Sequence, residues 1–389
     1  MLIYLLVFVS MIDHSTISPI IAEYSRSLGA TSSQAGLVTA LYSMTAIFSL
    51  PIIGFLLDKF NRSKIITIIL LIDVFLAISY ANSKDPSQLM IIRSFHGAVD
   101  SSLFPATLSV FRDVVIKRLG LSFTTYWLVA ATPILIGSLI ARYIVGVYGF
   151  SALFYVISII YIIGFLSSTA FFRIYTYTVR RENVSDFEMM RRERLSKTIL
   201  FTAYISAFAT YNIIGSIVSS MGIYLEKIFN MSRQAAASEI ASWTFLSTLS
   251  SIPIIASLTY IAVKGSREAV RNMLLGMSAG VGSMAILTFD ISMTSRIFSS
   301  ILFGITLGTI LPASSKIVSD VPMNFRGRAS AFLSLSYLLG VVSGAVISTR
   351  ISEHIHTDLN ISFVYPLTIC IFALIFNIYQ LFKIRSKIL

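Results

Sequence analysis

Apolar segments of roughly 20 residues recur from one end of this 389-residue chain to the other, each long enough to cross a hydrocarbon layer about 30 Å thick. Twelve can be drawn, at 1–22, 34–57, 63–82, 87–111, 121–146, 149–173, 198–224, 233–263, 268–289, 293–318, 328–350 and 360–384. Inside such a layer no water bonds the backbone, so each segment must satisfy its own N–H and C=O groups as a helix. The fold class that follows is an all-α membrane protein with twelve transmembrane helices. Composition excludes a soluble fold: 56% of the residues are hydrophobic and only 12% are charged, too few to cover a soluble surface. The first segment has no basic flank or small-residue cleavage site and contains Asp13-His14. It reads as a retained span, not a signal peptide.

The net charge of +12 is distributed as topology demands, with no patch for nucleic acid. Lys59, Arg62, Lys64, Arg112, Lys117, Arg118, Lys264, Arg267, Arg271, Lys316, Arg326 and Arg328 fall in alternate turns. The positive-inside rule makes those turns, and both ends of the chain, cytoplasmic. One long polar stretch, at 174–197, follows the sixth span and includes Arg180-Arg181 and Arg191-Arg192. It divides the chain into a six-helix bundle at 1–173, a cytoplasmic linker at 174–197 and a second six-helix bundle at 198–389.

The two halves repeat. A shift of 207 residues lays Gly97 on Gly304, Pro105 on Pro312, Ala106 on Ala313, Asp113 on Asp320, Gly120 on Gly327 and Gly137 on Gly344. Duplicated bundles around a midplane site are a transporter architecture, in which one half rocks against the other.

Ionisable groups deep in a span are costly and call for a function or a partner. Asp13 lies roughly 18 Å into the first span at 1.5 Å per residue, close to the midplane. A carboxyl there serves as a proton carrier, as a counter-charge for a cationic substrate, or as half of a structural pair. In the fourth span Arg93, His96 and Asp100 lie on one helical face. Under the 207 shift they become Ser300, Phe303 and Leu307, so the charges are confined to the first half. Asp73 in the third span is equally deep, with no partner evident from sequence. Tyr42, Tyr126, Trp127, Tyr204, Tyr211, Asn212, Trp243 and Tyr337 are candidates to line an apolar cavity with a few polar points; taken singly, each also fits a lipid-facing or interfacial position.

No enzyme is expected. The four histidines lack metal-ligand spacing, there is no phosphate-binding glycine loop for ATP, and the lone Cys370 excludes an internal disulfide. Neither metal nor cofactor is anticipated.

The stretch QAGLVTALYSMTAIFSLPIIGFLLDKFNRSK, residues 34–64, resembles helix 2 and the helix 2–3 loop of major facilitator superfamily transporters, roughly G-x-L-x-D-R-x-G-R-K. Gly54, Asp58 and the bases are kept, and Asn61 stands where the family usually has its second Gly. Arg93-Ser-Phe-His96-Gly97 resembles the family's R-x-x-Q-G on helix 4, with His96 for Gln, and VPMNFRGRASAF resembles its basic turn into helix 11. The resemblance implies proton coupling at Arg93 only; Asp13, His96 and Asp100 join it as proton-coupling candidates because of their depth in the spans and, for the latter two, the face they share with Arg93. It also implies a cytoplasmic gate of Gly54, Asp58, Arg62, Lys64, Arg326 and Arg328, with Asp58 facing the N-terminus of helix 11, whose dipole favours an anion. Thr132-Pro133-Ile-Leu-Ile136-Gly137 is similar to the antiporters' G-P-x-x-G-G, with two glycines replaced.

As a whole the chain looks most like the drug/proton antiporter branch. Its partners would be protons, a small-molecule substrate and the bilayer of the cell membrane, with the protein acting as a monomer. Proton-coupled uptake of a sugar or organic acid is the alternative, and a sensor or lipid-handling protein on the same scaffold ranks last.

Overall fold

The computed structural model describes residues 2–18, 20–114, 119–182, 197–231, 233–262, 266–354 and 359–385. The linker segment 183–196 and the turn residues Lys117, Arg118 and Lys264 lie outside them. Every described regular element is helical: α1 Leu2–Val9, α2 Ile12–Thr16, α3 Ile21–Ser27, α4 Ser32–Lys59, α5 Arg62–Ala81, α6 Pro86–Asp100, α7 Leu103–Val114 and α8 Leu119–Tyr148. After these come α9 Phe150–Glu182, α10 Lys197–Ser216, α11 Gly222–Ile228, α12 Arg233–Ala262, α13 Ser266–Phe289, α14 Met293–Ser319, α15 Met323–His354 and α16 Val364–Arg385. A π-turn at Ile217–Met221 joins α10 to α11. Among the described residues, ten helices are long and apolar enough to span a membrane.

The two remaining spans, expected as unbroken helices at 1–22 and 87–111, are interrupted. In the fourth, α6 ends at Asp100 and α7 begins at Leu103. Pro105 explains the position: it has no N–H for the carbonyl of Ser101, and its ring crowds that carbonyl. The Ser102 hydroxyl adds to this by bonding back to the Val99 carbonyl. In the first span, α1 and α2 part at Ser10–Met11, where the Ser10 hydroxyl donates to the Val7 carbonyl at 2.8 Å. Side chains also start the elements that flank the site. Asn61 caps α5 by accepting from the Lys64 N–H at 3.2 Å, which gives this departure from the family pattern a local purpose. Asp85 caps α6 by accepting from the N–H groups of Ser87 and Gln88, with Pro86 at the first helical position.

The chain forms two compact units. Unit 1 comprises 1–118, 128–194 and 321–335; unit 2 comprises 119–127, 195–320 and 336–389. Each half therefore gives up the start of one helix, α8 or α15, to the other unit. Shifting 119–127 by 207 gives 326–334, which lies inside the segment exchanged in return, so the repeat extends to this detail.

The repeated glycines set the helix spacing within each unit. A Cβ on Gly97 of α6 would lie 2.6 Å from the Tyr42 Cα of α4, and one on Gly304 of α14 would lie 2.6 Å from the Ser247 carbonyl oxygen of α12. Gly137 of α8 likewise meets Ser15 of α2, with Cβ to Cβ at 2.6 Å, and Gly344 of α15 meets the backbone of Asn212 and Ser216 of α10 at 3.0 Å. Small residues permit this close backbone approach where no hydrophobic force drives helices together.

Candidate functional site

Unit 1 carries a cluster of charge in its interior. Asp13, Arg93, His96 and Asp100 are each at most 3% exposed. The stripe on α6 points inward and meets the first span where that span is broken. An Arg93 guanidinium nitrogen lies 3.6 Å from an Asp13 carboxylate oxygen, and His96 Nδ1 lies 3.9 Å from the same oxygen. Arg93 also donates to the Ser18 hydroxyl at 3.2 Å and sits over the Tyr42 ring, 4.5 Å from its centroid. Tyr42 donates its O–H to Asp100 at 2.7 Å, and the Tyr80 hydroxyl lies 3.3 Å from His96 Nδ1. Two acids thus share one arginine, one histidine and two phenols in a buried site, where such interactions are strong. One ligand atom each from Asp13, His96 and Asp100 fall within 4.8 Å of one another, a juxtaposition invisible in sequence. The fixed positive charge of Arg93 beside Asp13 compensates the carboxylate and opposes a divalent ion there.

Unit 2 contains a neutral counterpart. Tyr211 of α10 and Tyr337 of α15 stack with centroids 4.4 Å apart. The Tyr337 hydroxyl lies near the side chains of Ser314, Ser315 and Tyr126. Trp127 packs edge-to-face on Tyr126 at 5.6 Å and donates its indole N–H to the Ser315 hydroxyl at 3.1 Å. Four of the expected cavity residues therefore converge on the Ser314–Ser315 turn of α14. The other four do not join them. Tyr42 belongs to the charged cluster, and Trp243 stacks on Phe303 at 5.0 Å in the apolar core of unit 2. Asn212 ties α10 to α15 by donating to the Ser343 hydroxyl at 2.9 Å, and Tyr204 is half-buried elsewhere on α10.

A third site lies in unit 1 where α4 ends against α15. One Asp58 carboxylate oxygen accepts from the Gly327 N–H at 2.7 Å; the other accepts from the Arg328 N–H at 3.3 Å and its Nε at 2.6 Å. Arg62 approaches the same carboxylate at 3.7 Å. Gly54 and Gly327 make the contact possible: a Cβ on Gly54 would lie 3.0 Å from the Arg328 Cα, and one on Gly327 would lie 2.9 Å from the Gly54 carbonyl oxygen. The buried Arg326 bonds the Val321 carbonyl at 3.3 Å instead, and Lys64 is exposed.

The sequence model of the Major Facilitator Superfamily matches residues 3–334. The chain belongs to the major facilitator superfamily. Human MFSD10 (TETRAN), an organic anion transporter, has the same fold, with a TM-score of 0.74 over 97% of this chain and 98% of that one at 11% identity. The chain is also similar to the multidrug resistance protein MdtG of Klebsiella pneumoniae, at 30% identity over 160 residues, or 40% of this chain and 39% of the relative. MdtG of Salmonella schwarzengrund is 34% identical over 104 residues, 25% of this chain and 26% of the relative. The match to these curated relatives spans between a quarter and two fifths of their length.

Membership of the major facilitator superfamily makes the chain an integral membrane protein of a transporter family, not an enzyme. Within that fold, the motif residues of α4 and α6 lead to the charged cluster, but several of its neighbours lay outside the motifs. Tyr80 and Asp73 are seven residues apart on α5, hence on one helical face, and both are fully buried. Tyr161 of α9 is buried beside them. The signal available in sequence was the i, i+7 spacing of Asp73 and Tyr80; nothing in sequence pointed to Tyr161.

Proposed function

We propose that the protein is a proton-coupled secondary transporter that exports amphipathic, drug-like compounds in exchange for protons by alternating access. The observation that carries this reading is the buried Asp13–Arg93–His96 contact with Asp100 and Tyr42 alongside, in two spans that are both interrupted at that level. A carboxylate held by a cation at 3.6 Å, in a buried site, gives up the pair when it takes a proton. Protonation of Asp13 thus releases Arg93 toward Ser18 and Tyr42, and deprotonation draws it back. A cationic compound competes for the same carboxylate, so proton and substrate occupy the site in turn. The similarity to proteins named for multidrug resistance supports export of drug-like molecules over uptake.

The rest of the reading follows from the fold. Bundles 1–173 and 198–389, joined by the linker at 174–197, rock around the cavity, with the aromatic group of unit 2 giving apolar substrates a surface. Asp58 with Arg62, Arg328 and Gly327 forms the core of a cytoplasmic lock, supported by Gly54, Lys64 and Arg326. The protein acts as a monomer in the cell membrane with both ends in the cytoplasm.

The test is proton movement in sealed proteoliposomes carrying a pH dye, for the native protein and Asp13→Asn, with lipophilic cations, neutral drugs, sugars and carboxylates added in turn. Proton efflux from an acid interior on adding a cationic drug, lost in the variant, is the expected result. Proton influx accompanying a sugar or carboxylate would replace the exporter by a symporter.

A further inference from the structure

Asp73 is a deep acid that the proposed proton pathway leaves unused. It sits mid-way along α5 in a stripe of buried apolar residues, Ile66, Ile69, Leu70, Val74 and Ala77, and it is 0% exposed. Neither of its carboxylate oxygens has a hydrogen-bond partner among the described residues. Its neighbours differ: Asp13 is ion-paired, with Arg93 at 3.6 Å and His96 at 3.9 Å, and Asp100 accepts a hydrogen bond from the Tyr42 hydroxyl. The ionisable groups that act on Asp73 from α2 and α6 are Asp13 and Asp100, both acids. From α9 comes the Tyr161 hydroxyl, which is buried and also without a hydrogen-bond partner among the described residues. The stretch of α7 between Leu103 and Phe111 brings no ionisable side chain.

Charge balance makes the point sharper. Among the described side chains, three buried carboxyls, Asp13, Asp73 and Asp100, share one cluster with a single arginine, Arg93, and a single histidine, His96. If all three were ionised, even a charged His96 would leave one negative charge without a counter-charge among the described side chains. An isolated carboxylate in that setting is expelled or takes up a proton. The acid with no cation and no donor among the described residues is Asp73, so the proton belongs there.

We propose that Asp73 is a second proton-binding carboxyl of the transport cycle, neutral in the conformation described and ionised when the helices around α5 part to admit water. In that step its O–H bond breaks, the electron pair stays on the carboxylate, and the proton passes to water. Each turnover then moves one more proton than the Asp13 cluster alone would carry. This deepens the proton-coupled reading and rests on it for its role in transport, while the protonation of Asp73 stands without it.

The deciding experiment is infrared spectroscopy of the full chain in lipid nanodiscs, labelled with carboxyl-¹³C aspartate. At neutral pH the native protein should show the C=O stretch of a protonated aspartic acid, shifted by the label. That band should vanish in Asp73→Asn and persist in Asp13→Asn and Asp100→Asn. Its absence from the native protein overturns the proposal with no variant needed, as does its survival in a folded Asp73→Asn. Asn has the shape of the neutral acid, so Asp73→Asn should keep the native thermal unfolding temperature at neutral pH.

In proteoliposomes the same variant should exchange substrate while moving one proton fewer per substrate; an unchanged ratio also overturns the role. If no compound moves protons at all, the transport reading fails and the infrared result still decides Asp73.

Discussion

Gly97 and Gly304 perform the same service in unit 1 and unit 2, bringing α6 against α4 and α14 against α12. Around them the chemistry diverges. His96 sits edge-on to Tyr42 and Tyr80, with Arg93 and Asp13 in reach. Its counterpart Phe303 stacks on Trp243 in an apolar core. Asp100 accepts from Tyr42, and its counterpart is Leu307. The prolines behave differently too. Pro105 follows an interruption between α6 and α7, while Pro312 lies inside the unbroken α14. The contrast separates what the halves share from what they do not: glycine positions tied to helix spacing are common to both, whereas Arg93, His96 and Asp100 have uncharged counterparts in Ser300, Phe303 and Leu307.

Removing a charge from unit 1 should have the largest effect. Arg93→Leu leaves Asp13 buried without its arginine, and loss of one partner of a buried pair costs about 3–5 kcal/mol. The variant should unfold at a markedly lower temperature in detergent and lose proton-coupled transport. Arg93→Leu combined with Asp13→Asn should recover most of the stability and none of the transport. Ser300→Leu, at the equivalent position of unit 2, should leave proton movement intact. A similar loss of coupling there would mean that the two halves do not divide the work.

The shared glycines of the two units should respond alike. Gly97→Ala and Gly304→Ala should each destabilise by about 1–3 kcal/mol through overpacking against backbone, seen as matching falls in thermal unfolding temperature. A large effect in one half alone would show that the shared glycine has two different roles.

In the second half the 207 shift lays Asp58 on Gly265, and the turn VKGSREAVRN carries its acid three residues further on, as Glu268. Asp58→Asn keeps the shape but loses charge-assisted bonds worth about 1.5–3 kcal/mol when intact. Cysteine reporters on the inner side of the cavity should become more accessible, and unchanged labelling would count against a lock.

The smallest effect concerns Asp290, between α13 and α14. Hydrogen bonds from Ser292 and Ser295 to its carboxylate, at 2.6 and 2.5 Å, hold its pKa below the usual carboxylate range. A depressed folded pKa contributes stability that is present above the ordinary carboxylate value and lost as pH falls through the folded value. Asp290→Asn should therefore be slightly less stable than the native protein at neutral pH, with the difference closing on acidification in a thermal unfolding series.

Much of this protein was legible as sequence because membrane insertion leaves few choices. Long apolar runs must be helices, so the spans and the repeat followed from residue order alone. Arg93, His96 and Asp100 could be placed on one face because helical periodicity is local. Asp58 could be directed toward the start of α15 from the motif it shares with the family. What periodicity cannot give is which faces meet. It did not show that Pro105 opens the fourth span at Ser101 while Pro312 leaves α14 intact, since the carbonyl left by a proline finds or lacks other partners according to its surroundings. It did not separate Tyr42, drawn into the charged cluster, from Tyr211 and Tyr337, which stack 4.4 Å apart in unit 2. Nor did it reveal that Asp73 ends with no donor for either oxygen among the described residues. A hydrogen bond exists only where two helices bring a donor and an acceptor within about 3 Å. Residue order thus determined the helices and that Arg93, His96 and Asp100 share one face of the fourth span; packing between helices decided which of those charges have partners.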